Sequence, residues 1–571
     1  MKRIILFLSA AVLIGCGCAS RRNECEVEAY FVRGGIAVES PGVEEIKIGK
    51  GRVSLIEWSG ECNSGVVVCF KDKYLVRIKW KPGETYRVRV GTTRGGAAKE
   101  IQAPARPSPM RVGMIDIERI DPHDAEMGTA PDTYVKFSPD AKLLAIGSFK
   151  GYIRVVEVNT GSVLMEKRIA EGLVKRIAWG EIRGKKVIYA GEQSPDGFIY
   201  CMDPYSGRVV WKYRTADDIE SSRQTEASDR YAVYSLPGVF QLKVLPDGDV
   251  IAVGAHGWNK DGEYLYRCLV YRFDGATGGV KWKWPEEKPL PFGIVWFSSD
   301  ARGSKLALVT SSWLDVRETD KKYRDGTVYC LDGEHGAAMW KYTVPPLEPY
   351  YRKASAWQAM ALSPDGKHAV LGLSDGRGFL FDADAAGGSS QDGIPENRPL
   401  WIMNIGTPVI VGGIPVAAHV SYAAVDREVY FVLPGTSVPP GVGSAQKQTP
   451  APHPAAGNIF AYTKAGGLSW KWETPGTTQG IILSEDGRWM AAVTSETFGS
   501  DDTEFFGVSL FDLDKPGGGA EKLEYMYDTE GPVFFMADIT GDGEFVAAVE
   551  TPIRLSDRKT VLGGYRVHII H

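Results

Sequence analysis

Residues 538–544 have the side-chain types and the spacing that could bind a metal ion. From Asp538 to Glu544 an oxygen-bearing side chain stands at every second position, and calcium-binding loops open with ligands spaced in this way. The twelfth position of such a loop, where a bidentate Glu completes the site, is Val549. Asp and Gly at these positions also favour tight turns between strands. We therefore expect a structural turn here, with calcium as the alternative.

The other chemistry-bearing residues lack the spacing of a catalytic or metal site. The eight histidines are scattered, and no two stand as H-x-H or H-x-x-x-H, so a zinc site has no local support. The sequence contains no G-x-S-x-G nucleophile elbow and no P-loop. The formal charge of −5 and the absence of long Lys/Arg runs argue against nucleic-acid binding. We predict no catalytic residue, no metal and no nucleic-acid partner.

The first residues predict export and a lipid anchor. Residues 2–3 are basic and residues 4–14 are apolar or small, a stretch too short to span a bilayer, which needs about 20 residues. Residues 13–16, Leu-Ile-Gly-Cys, resemble the bacterial lipobox. That resemblance implies a signal peptide over residues 1–15, acylation of Cys16, and a tether over residues 16–24. The resemblance, with Gly17 in place of Asp, implies a cell-envelope protein at the outer membrane; an ordinary secretory signal is the alternative.

The cysteines do not form a pattern typical of a disulfide-rich protein. Seven remain after lipidation, an odd number, so at least one is unpaired. Cys25, Cys62 and Cys69 lie close in sequence, and an oxidising compartment would allow one bridge among them. Cys201 and Cys330 occupy equivalent places in two similar segments, Tyr-Cys-Met-Asp and Tyr-Cys-Leu-Asp. We expect both to be small buried residues.

Residues 25–91 predict a small β-sandwich. Seven short β-like runs alternate with turns, and the last shows period-two alternation, with Tyr86, Val88 and Val90 separated by arginines. Residues 81–90 resemble the late strands of fibronectin type III and immunoglobulin-like modules. Residues 92–109, rich in Gly, Ala and Pro, are predicted to form a linker.

From residue 110 onward the chain repeats itself. One recurring element is an Asp- or Gly-containing turn followed by a small, apolar strand; its copies lie at Asp140, Gly184, Asp247, Asp300, Asp365, Asp426, Asp486 and Asp542. A second element carries a strand, an Asp, a Gly and a returning strand with a Trp, found at Trp211, Trp282 and Trp340; the copy at Trp470 has the Gly and the returning strand. These tryptophans could stack on carbohydrate, but their regular recurrence favours packing between repeats.

Two hairpins per repeat make a four-stranded blade, so residues 110–571 predict an all-β propeller. The repeats resemble those of quinoprotein propellers and also of WD40-type propellers. We predict eight blades, or seven if the copy at Gly184 is spurious. The last repeat lacks its outermost strand, which residues 110–117 can supply by pairing with the strand near residues 564–570.

The resemblance to quinoproteins implies, as one alternative, a PQQ-dependent dehydrogenase with calcium beside the cofactor. The sequence has neither the adjacent Cys pair common in those enzymes nor a haem-attaching C-x-x-C-H. We therefore predict no cofactor and a non-catalytic protein, with PQQ and calcium kept as alternatives.

Long insertions are the predicted binding loops, because loops on a rigid scaffold carry functional residues. They are residues 256–266, with Trp258, Lys260 and Asp261; residues 313–325, with Trp313; and the Pro-rich residues 434–458, expected to be extended. We predict a membrane-tethered module that binds or scaffolds an envelope protein. Glycan binding is a further alternative.

Overall fold

The structure is a computed structural model of the full chain. It describes residues 27–571 except 42, 52, 60–65, 94, 119–133, 222–235, 261–262, 311–325, 352–353, 357, 386, 389–391, 440–450, 496–504 and 558. The predicted signal peptide, Cys16, the tether, Cys25 and Cys62 lie outside the described residues. The chain divides into two compact units. One contains the described residues up to Gly113 together with Ile570 and His571, and the other contains Met114–Ile569.

The N-terminal unit consists of two four-stranded antiparallel sheets, ordered β1-β2-β6-β5 and β4-β3-β7-β8. Its strands are β1 (Glu28–Val32), β2 (Gly35–Glu39), β3 (Val43–Lys50), β4 (Val53–Ser59), β5 (Val67–Phe70), β6 (Lys73–Arg77), β7 (Thr85–Thr92) and β8 (Gly95–Gln102). Residues from both sheets share one hydrophobic core, in which Phe31, Trp58 and Tyr86 are almost fully buried. The alternation predicted around Tyr86 is confirmed, because Tyr86, Val88 and Val90 are buried between exposed neighbours.

The predicted linker over residues 92–109 is wrong in its first half. Gly95–Gln102 forms β8 and pairs along its whole length with β7, from Thr92↔Gly95 to Thr85↔Gln102. Ile101 is only 9% exposed and belongs to the core of this unit. Gly, Ala and Lys give little hydrophobic contrast along most of this strand, so a period-two pattern could not be recognised in the sequence.

The C-terminal unit is built from four-stranded groups, which we call sheet units 1 to 8 in chain order; the pair Gln193↔Gly238 joins units 2 and 3 into one eight-stranded sheet. The fourth strand of sheet unit 8 precedes the rest in the chain and is β9 (Arg111–Asp116). Sheet unit 1 contains β10 (Val135–Phe137), β11 (Leu143–Gly147), β12 (Tyr152–Glu157) and β13 (Val163–Arg168), and sheet unit 2 contains β14 (Leu173–Ile182), β15 (Lys185–Gln193), β16 (Phe198–Met202) and β17 (Val209–Arg214). Sheet unit 3 contains β18 (Gly238–Val244), β19 (Val250–Lys260), β20 (Glu263–Phe273) and β21 (Val280–Trp284), and sheet unit 4 contains β22 (Ile294–Ser299), β23 (Lys305–Thr310), β24 (Thr327–Asp332) and β25 (Ala338–Thr343).

Sheet units 5 to 8 follow the same antiparallel order. Sheet unit 5 contains β26 (Met360–Leu362), β27 (His368–Gly372), β28 (Arg377–Asp382) and β29 (Pro399–Asn404), and sheet unit 6 contains β32 (Tyr422–Val425), β33 (Val429–Leu433), β34 (Asn458–Tyr462) and β35 (Leu468–Glu473). Sheet unit 7 contains β36 (Thr477–Leu483), β37 (Trp489–Ser495), β38 (Gly507–Asp512) and β39 (Leu523–Asp528), and sheet unit 8 contains β40 (Val533–Ile539), β41 (Val546–Glu550) and β44 (Arg566–Ile570) with β9. Two small hairpins, β30 (Val409–Val411) with β31 (Ile414–Val416) and β42 (Ile553–Arg554) with β43 (Val561–Leu562), and the short helices α1 (Ala216–Ile219) and α2 (Gly519–Lys522) complete the described elements.

Each copy of the predicted turn-and-strand element is the second strand of a sheet unit, including the doubtful copy at Gly184. That copy is a two-residue turn in which Arg183 and Gly184 both have positive φ, joining β14 to β15. In four other units a Ser or Thr hydroxyl closes the equivalent turn by accepting a backbone N–H five residues on. These pairs are Ser138–Leu143 at 3.0 Å, Ser363–His368 at 3.0 Å, Ser484–Trp489 at 2.9 Å and Thr540–Phe545 at 2.9 Å.

A bulge recurs between the third and fourth strands of seven sheet units within the described chain. The residue that follows each bulge on the fourth strand is large, and the bulge re-aims its side chain. These residues are Met165, Trp211, Trp282, Trp340, Trp401, Trp470 and Tyr525. Four of the indole N–H groups donate to a backbone carbonyl of the following unit: Trp211 to Gly275, Trp282 to Gly333, Trp340 to Ala383 and Trp401 to Lys464.

The prediction that these tryptophans pack between repeats is therefore confirmed. Trp470 differs, because its indole donates to Glu428 of its own unit at 2.8 Å while its ring stacks on Phe511 of the next. The turn glycine of the repeat is required at this contact. At Gly336 φ is +72°, and a Cβ would lie 2.7 Å from the ring of Trp282.

Sheet unit 8 also packs against sheet unit 1. The carboxylate of Asp538 on β40 accepts the Phe137 backbone N–H at 2.8 Å and pairs with Lys136 at 2.5 Å. In sheet units 4 and 5 the Ser298 hydroxyl makes the equivalent contact with the Leu362 N–H at 3.1 Å. The last unit thus contacts the first as other neighbours contact each other, and the protein is all-β with four-stranded sheets consistent with a propeller.

The predicted closing strand is present. The order β40-β41-β44-β9 places the strand near residue 110 beside the last strand of the chain. Hydrogen bonds flank the pair at both ends, from Ile117 N–H to the Tyr565 carbonyl at 2.9 Å and reciprocally between Met110 and His571. The boundary between the compact units falls inside β9, after Gly113, rather than at residue 110.

The cysteine predictions hold where the structure describes them. Cys201 and Cys330 are free and fully buried, and each lies opposite a docking tryptophan, Trp211 or Trp340. Burial raises the pKa of both thiols to about 12. Cys69 is disulfide-bonded. None of the described helices is long and apolar enough to span a membrane.

Candidate functional site

The predicted loop over residues 256–266 is not a loop. β19 and β20 continue as a hairpin to Lys260↔Glu263, although β18 pairs with β19 only as far as Ala255. We call the part beyond that pairing, residues 256–260 and 263–267, the arm. A Trp on β19 and Tyr and Leu residues on β20 favour continued pairing, for example Trp258↔Leu265.

The base of the arm is fixed to the rest of the unit. His256 is 1% exposed; its Nδ1 lies 3.1 Å from the Ile219 carbonyl of α1, and its ring stacks on Trp258 with centroids 4.2 Å apart. Trp258 is half-buried and lies in the arm, beyond the pairing of β18 with β19. Lys260 ends β19, and Asp261 lies outside the described residues.

The other two predicted binding loops are only partly described. Trp313 and the rest of residues 311–325 lie outside the described residues. The two stems of the Pro-rich segment are anchored rather than extended: Ser437 pairs with Ala417, and His453 is 5% exposed. The His453 N–H donates to Thr436 Oγ1 at 2.7 Å, and its Nε2 lies 3.1 Å from the Thr407 carbonyl.

The side-chain oxygens of residues 538–544 serve the fold. Asp538 binds sheet unit 1, as described above. Asp542 accepts hydrogen bonds from the Thr540 hydroxyl at 2.8 Å and from the Glu544 N–H at 2.9 Å. Ser363 and Asp365 form the same hydroxyl-to-carboxylate contact in sheet unit 5 at 2.6 Å. These are the bonds that the turn interpretation predicts.

The inner strands carry a second family of bulges that the sequence analysis missed. In sheet units 2, 3, 4 and 7 one extra residue stands between two paired positions of the first strand; these residues are Lys175, Phe240, Val295 and Gln479. Bulges commonly re-aim a side chain beside a functional site. The ammonium of Lys175 lies 4.3 Å from the ring centroid of Phe240, so bulged residues of two neighbouring units contact each other.

Aromatic residues of the inner strands meet beside these bulges. The Arg176 guanidinium lies 5.5 Å from the ring of Tyr134, and the rings of Trp296 and Tyr422 meet edge to face at 6.5 Å. Burial, followed by the neighbouring Tyr134, raises the pKa of Tyr422. Trp296 of sheet unit 4 and Tyr422 of sheet unit 6 thus form an aromatic pair, and Tyr134 of sheet unit 1 lies close enough to influence Tyr422; we call these three residues the inner aromatic cluster.

Two lysines, Lys136 and Lys243, lie on the first strands of sheet units 1 and 3. Burial opposes the charge of Lys136, but Asp538 beside it raises the pKa of the ammonium. Burial lowers the pKa of Lys243 to about 8, and Lys136 adds to this effect, although Asp300 opposes it. The Lys243 ammonium donates to the Ser299 carbonyl at 3.2 Å and forms no ion pair with a described residue.

Sequence reasoning could not find either inner group. At the pairing position that matches Tyr134, Trp296 and Tyr422, other repeats carry Arg176, Gln241, Ala359 and Gly480. A period search therefore treats them as variation. The signal in the sequence was an aromatic residue three positions before the end of the first strand, as Tyr134 stands before Phe137 and Trp296 before Ser299.

No family model matches the chain, and no curated protein matches it. Among solved structures it is similar to the C-terminal WD40 domain of Sif2, at 12% identity over 81% of this chain and 98% of that one, with a TM-score of 0.45. It is also similar to quinohemoprotein alcohol dehydrogenase from Comamonas testosteroni, at 14% identity over 75% and 72%, with a TM-score of 0.45. Both are likenesses of fold, and neither assigns a role to any residue here.

Proposed function

We propose that this chain is a lipid-anchored protein of the bacterial cell envelope that binds or scaffolds another envelope protein. In this proposal residues 110–571 form an eight-bladed propeller with each sheet unit as a blade, and the two N-terminal sheets form a sandwich. The observation that carries the binding role is the arm. It is a hairpin with both strands paired to the tip and its base fixed by His256, which lowers the entropy lost on binding.

Two features support the envelope location. Residues 13–16 have the lipobox sequence with Cys16 as the acylated residue, and stable anchoring follows from several acyl chains. Cys69 is disulfide-bonded, which is typical of proteins in an oxidising compartment.

The binding role is tested by placing a photo-crosslinking amino acid at Trp258 in cells that produce the full chain. We expect a discrete adduct with one envelope protein, because position 258 lies in the arm, beyond the pairing of β18 with β19. The matched control is Tyr205, which is 57% exposed on the turn between β16 and β17 of the neighbouring sheet unit. Equal crosslinking at both positions, or none at 258, would contradict the proposal.

The anchor is tested separately. Cys16→Ser should abolish labelling by a radioactive fatty acid and release the protein from the membrane fraction, while Cys18→Ser should leave both unchanged. Retained labelling in Cys16→Ser would show that another residue is modified and would refute the assignment.

A further inference from the structure

The hairpin of β30 and β31 exposes apolar side chains at its tip. Its cross-strand pairs are Val409↔Val416, Ile410↔Pro415 and Val411↔Ile414. Ile410 is 62% exposed and Val409 is 39% exposed, whereas Val416, at the end of β31, is fully buried. We call residues 409–414 the hairpin tip; their sequence, Val-Ile-Val-Gly-Gly-Ile, contains only aliphatic residues and glycine. The hairpin tip therefore presents apolar surface without a polar side chain.

The hairpin tip lies in a stretch of the sequence that has no formal charge. Residues 399–425 include no Asp, Glu, Lys or Arg, although such residues make up 24% of the chain. Burial lowers the pKa of His419, the histidine of this stretch, and so favours its neutral form. On β29, in the same stretch, Leu400 and Ile402 are 55% and 44% exposed. Placing this part of the chain against an apolar medium therefore does not require a charged group to lose its hydration.

The base of the hairpin is fixed to the rest of the unit. The Gly406 N–H donates to the Gly376 carbonyl at 2.8 Å, and the Ala418 N–H donates to the Gly406 carbonyl at 2.8 Å. Ala417 and Ser437 exchange two backbone hydrogen bonds, each of 2.8 Å. Within the described part of the chain, β30 and β31 pair only with each other, and an isolated two-stranded hairpin is only marginally stable. The contacts at the base therefore hold the hairpin in a conformation that leaves its tip exposed.

The chemistry of the hairpin tip fits a lipid surface better than a protein partner. Protein interfaces gain most of their binding energy from Trp, Tyr and Arg, and a stable one buries about 1,200–2,000 Å². The hairpin tip has none of these residues and is too small for such an interface. The boundary between the headgroups and the acyl chains of a bilayer accepts aliphatic side chains without matching hydrogen bonds. Pro415 adds to this fit, because it has no backbone N–H that would lose its contact with water.

We propose that the hairpin tip inserts into the headgroup boundary of a lipid bilayer and gives the protein a second membrane contact. This inference rests on the lipid anchor at Cys16 proposed above, because an anchored chain meets the bilayer at a high effective concentration. A contact made by a few aliphatic side chains is weak by itself, and the anchor makes it sufficient. Because the hairpin tip has no Lys or Arg, the contact depends neither on anionic lipid nor on low ionic strength.

The test places an environment-sensitive fluorescent amino acid at position 410 of the full chain and adds phosphatidylcholine vesicles that contain nitroxide-labelled lipid. We expect a blue shift of the emission and quenching by the nitroxide, both unaffected by high salt, because the probe enters the bilayer. The matched control has the same amino acid at Tyr205, which is 57% exposed, and should not be quenched. Quenching that is equal at both positions, or that requires anionic lipid, would overturn the proposal. Absence of quenching at 410 would also overturn it and would leave a protein as the partner of the hairpin tip.

Two variants in the Cys16→Ser chain separate the hairpin from the anchor. Ile410→Asp should raise the lipid concentration for half-maximal vesicle binding about tenfold, because a charge would have to enter the bilayer. Leu468→Asp, at a residue that is 56% exposed on β35, should leave that concentration unchanged. Both variants should keep the melting temperature, since both side chains are exposed.

The proposal is overturned if the Cys16→Ser chain does not bind vesicles, if Ile410→Asp binds as the unchanged hairpin does, or if both variants weaken binding equally. The anchor and the hairpin can fail separately. Quenching at 410 in a chain that incorporates no fatty acid at Cys16 would refute only the anchor, and fatty-acid labelling without quenching at 410 would refute only the insertion of the hairpin tip.

Discussion

At the scale of single residues, the docking tryptophans hold neighbouring sheet units together. Trp340 is fully buried, packs on Phe381 with ring centroids 5.7 Å apart, and donates to the Ala383 carbonyl at 2.9 Å. Trp340→Ala should lower the free energy of unfolding by about 3–5 kcal/mol, because it opens a large cavity between two units. Trp340→Phe should cost less, since a ring remains.

Chemical denaturation followed by circular dichroism measures both changes. The control is Tyr205→Ala at an exposed turn, where we expect a change within about 0.5 kcal/mol. A small effect of Trp340→Ala would mean that the units do not depend on this contact.

The burial of Glu192 makes the free energy of unfolding depend on pH. It is 2% exposed, and burial raises its pKa to about 7, although hydrogen bonds from Ser194 and the Phe198 N–H oppose the shift. The folded protein therefore holds a proton that the unfolded chain has lost. Stability should be greatest below about pH 4.5 for this group, fall as pH rises towards 7, and level off above it.

Glu192→Gln resembles the protonated form, so it should remove this fall. The expected difference between variant and unchanged protein grows between pH 5 and 8 and reaches at most about 3 kcal/mol. Melting temperatures across that range check it, with Glu171→Gln on the exposed surface as the matched control. Parallel curves for the unchanged protein and Glu192→Gln would contradict the assigned shift.

The residue scale also shows how far a sequence can be interpreted. The tryptophans at 211, 282 and 340 were recognisable because an Asp and a Gly recur before them, and Trp470 because the Gly recurs before it. Trp401 makes the same contact, but the segment before it carries neither residue at the expected spacing. Bulges were invisible, because one extra residue shifts register without changing composition.

At the scale of elements, β8 shows that part of the segment whose composition suggested a linker is a paired strand of the N-terminal unit. Ile101 is part of the N-terminal core, while its neighbour Gln102 is exposed. Ile101→Asp should unfold the N-terminal unit, because it buries an unpaired charge. Gln102→Asp should have little effect. Limited proteolysis distinguishes them, since cleavage within residues 27–109 should increase only in Ile101→Asp. Equal resistance of both variants would restore the linker interpretation.

The arm is the opposite case, in which an expected loop is continuous strand. Charged and polar residues between 256 and 266 suggested an exposed insertion. Pairing partners such as His256↔Arg267 lie eleven positions apart, and this cross-strand match cannot be seen in the single-strand alternation that sequence analysis uses. Repeat recognition therefore located the sheet units well, while strand lengths and register depended on contacts between strands.

At the scale of the whole chain, sheet unit 8 combines β9 from one region of the sequence with β40, β41 and β44 from its end. Without β9, the edge of β44 would lose its partner, and unpaired edges promote aggregation. Ile115 and Ile117, 9% and 5% exposed, would also lose their burial. Replacing residues 111–116 with a Gly-Ser sequence of equal length should therefore lower the melting temperature by several degrees and cause aggregation on heating.

The control is the same Gly-Ser replacement at residues 409–414, in a hairpin whose two strands pair, within the described part of the chain, only with each other and whose Ile410 is 62% exposed. We expect that variant to stay soluble and to melt close to the unchanged protein. Adding a synthetic peptide of residues 109–118 to the first variant should restore part of the lost melting temperature, because the peptide supplies the missing strand. If the 111–116 replacement left melting temperature and solubility unchanged, pairing between the two ends of the repeat region would not be what closes sheet unit 8, and the proposed eight-bladed ring would have to be abandoned.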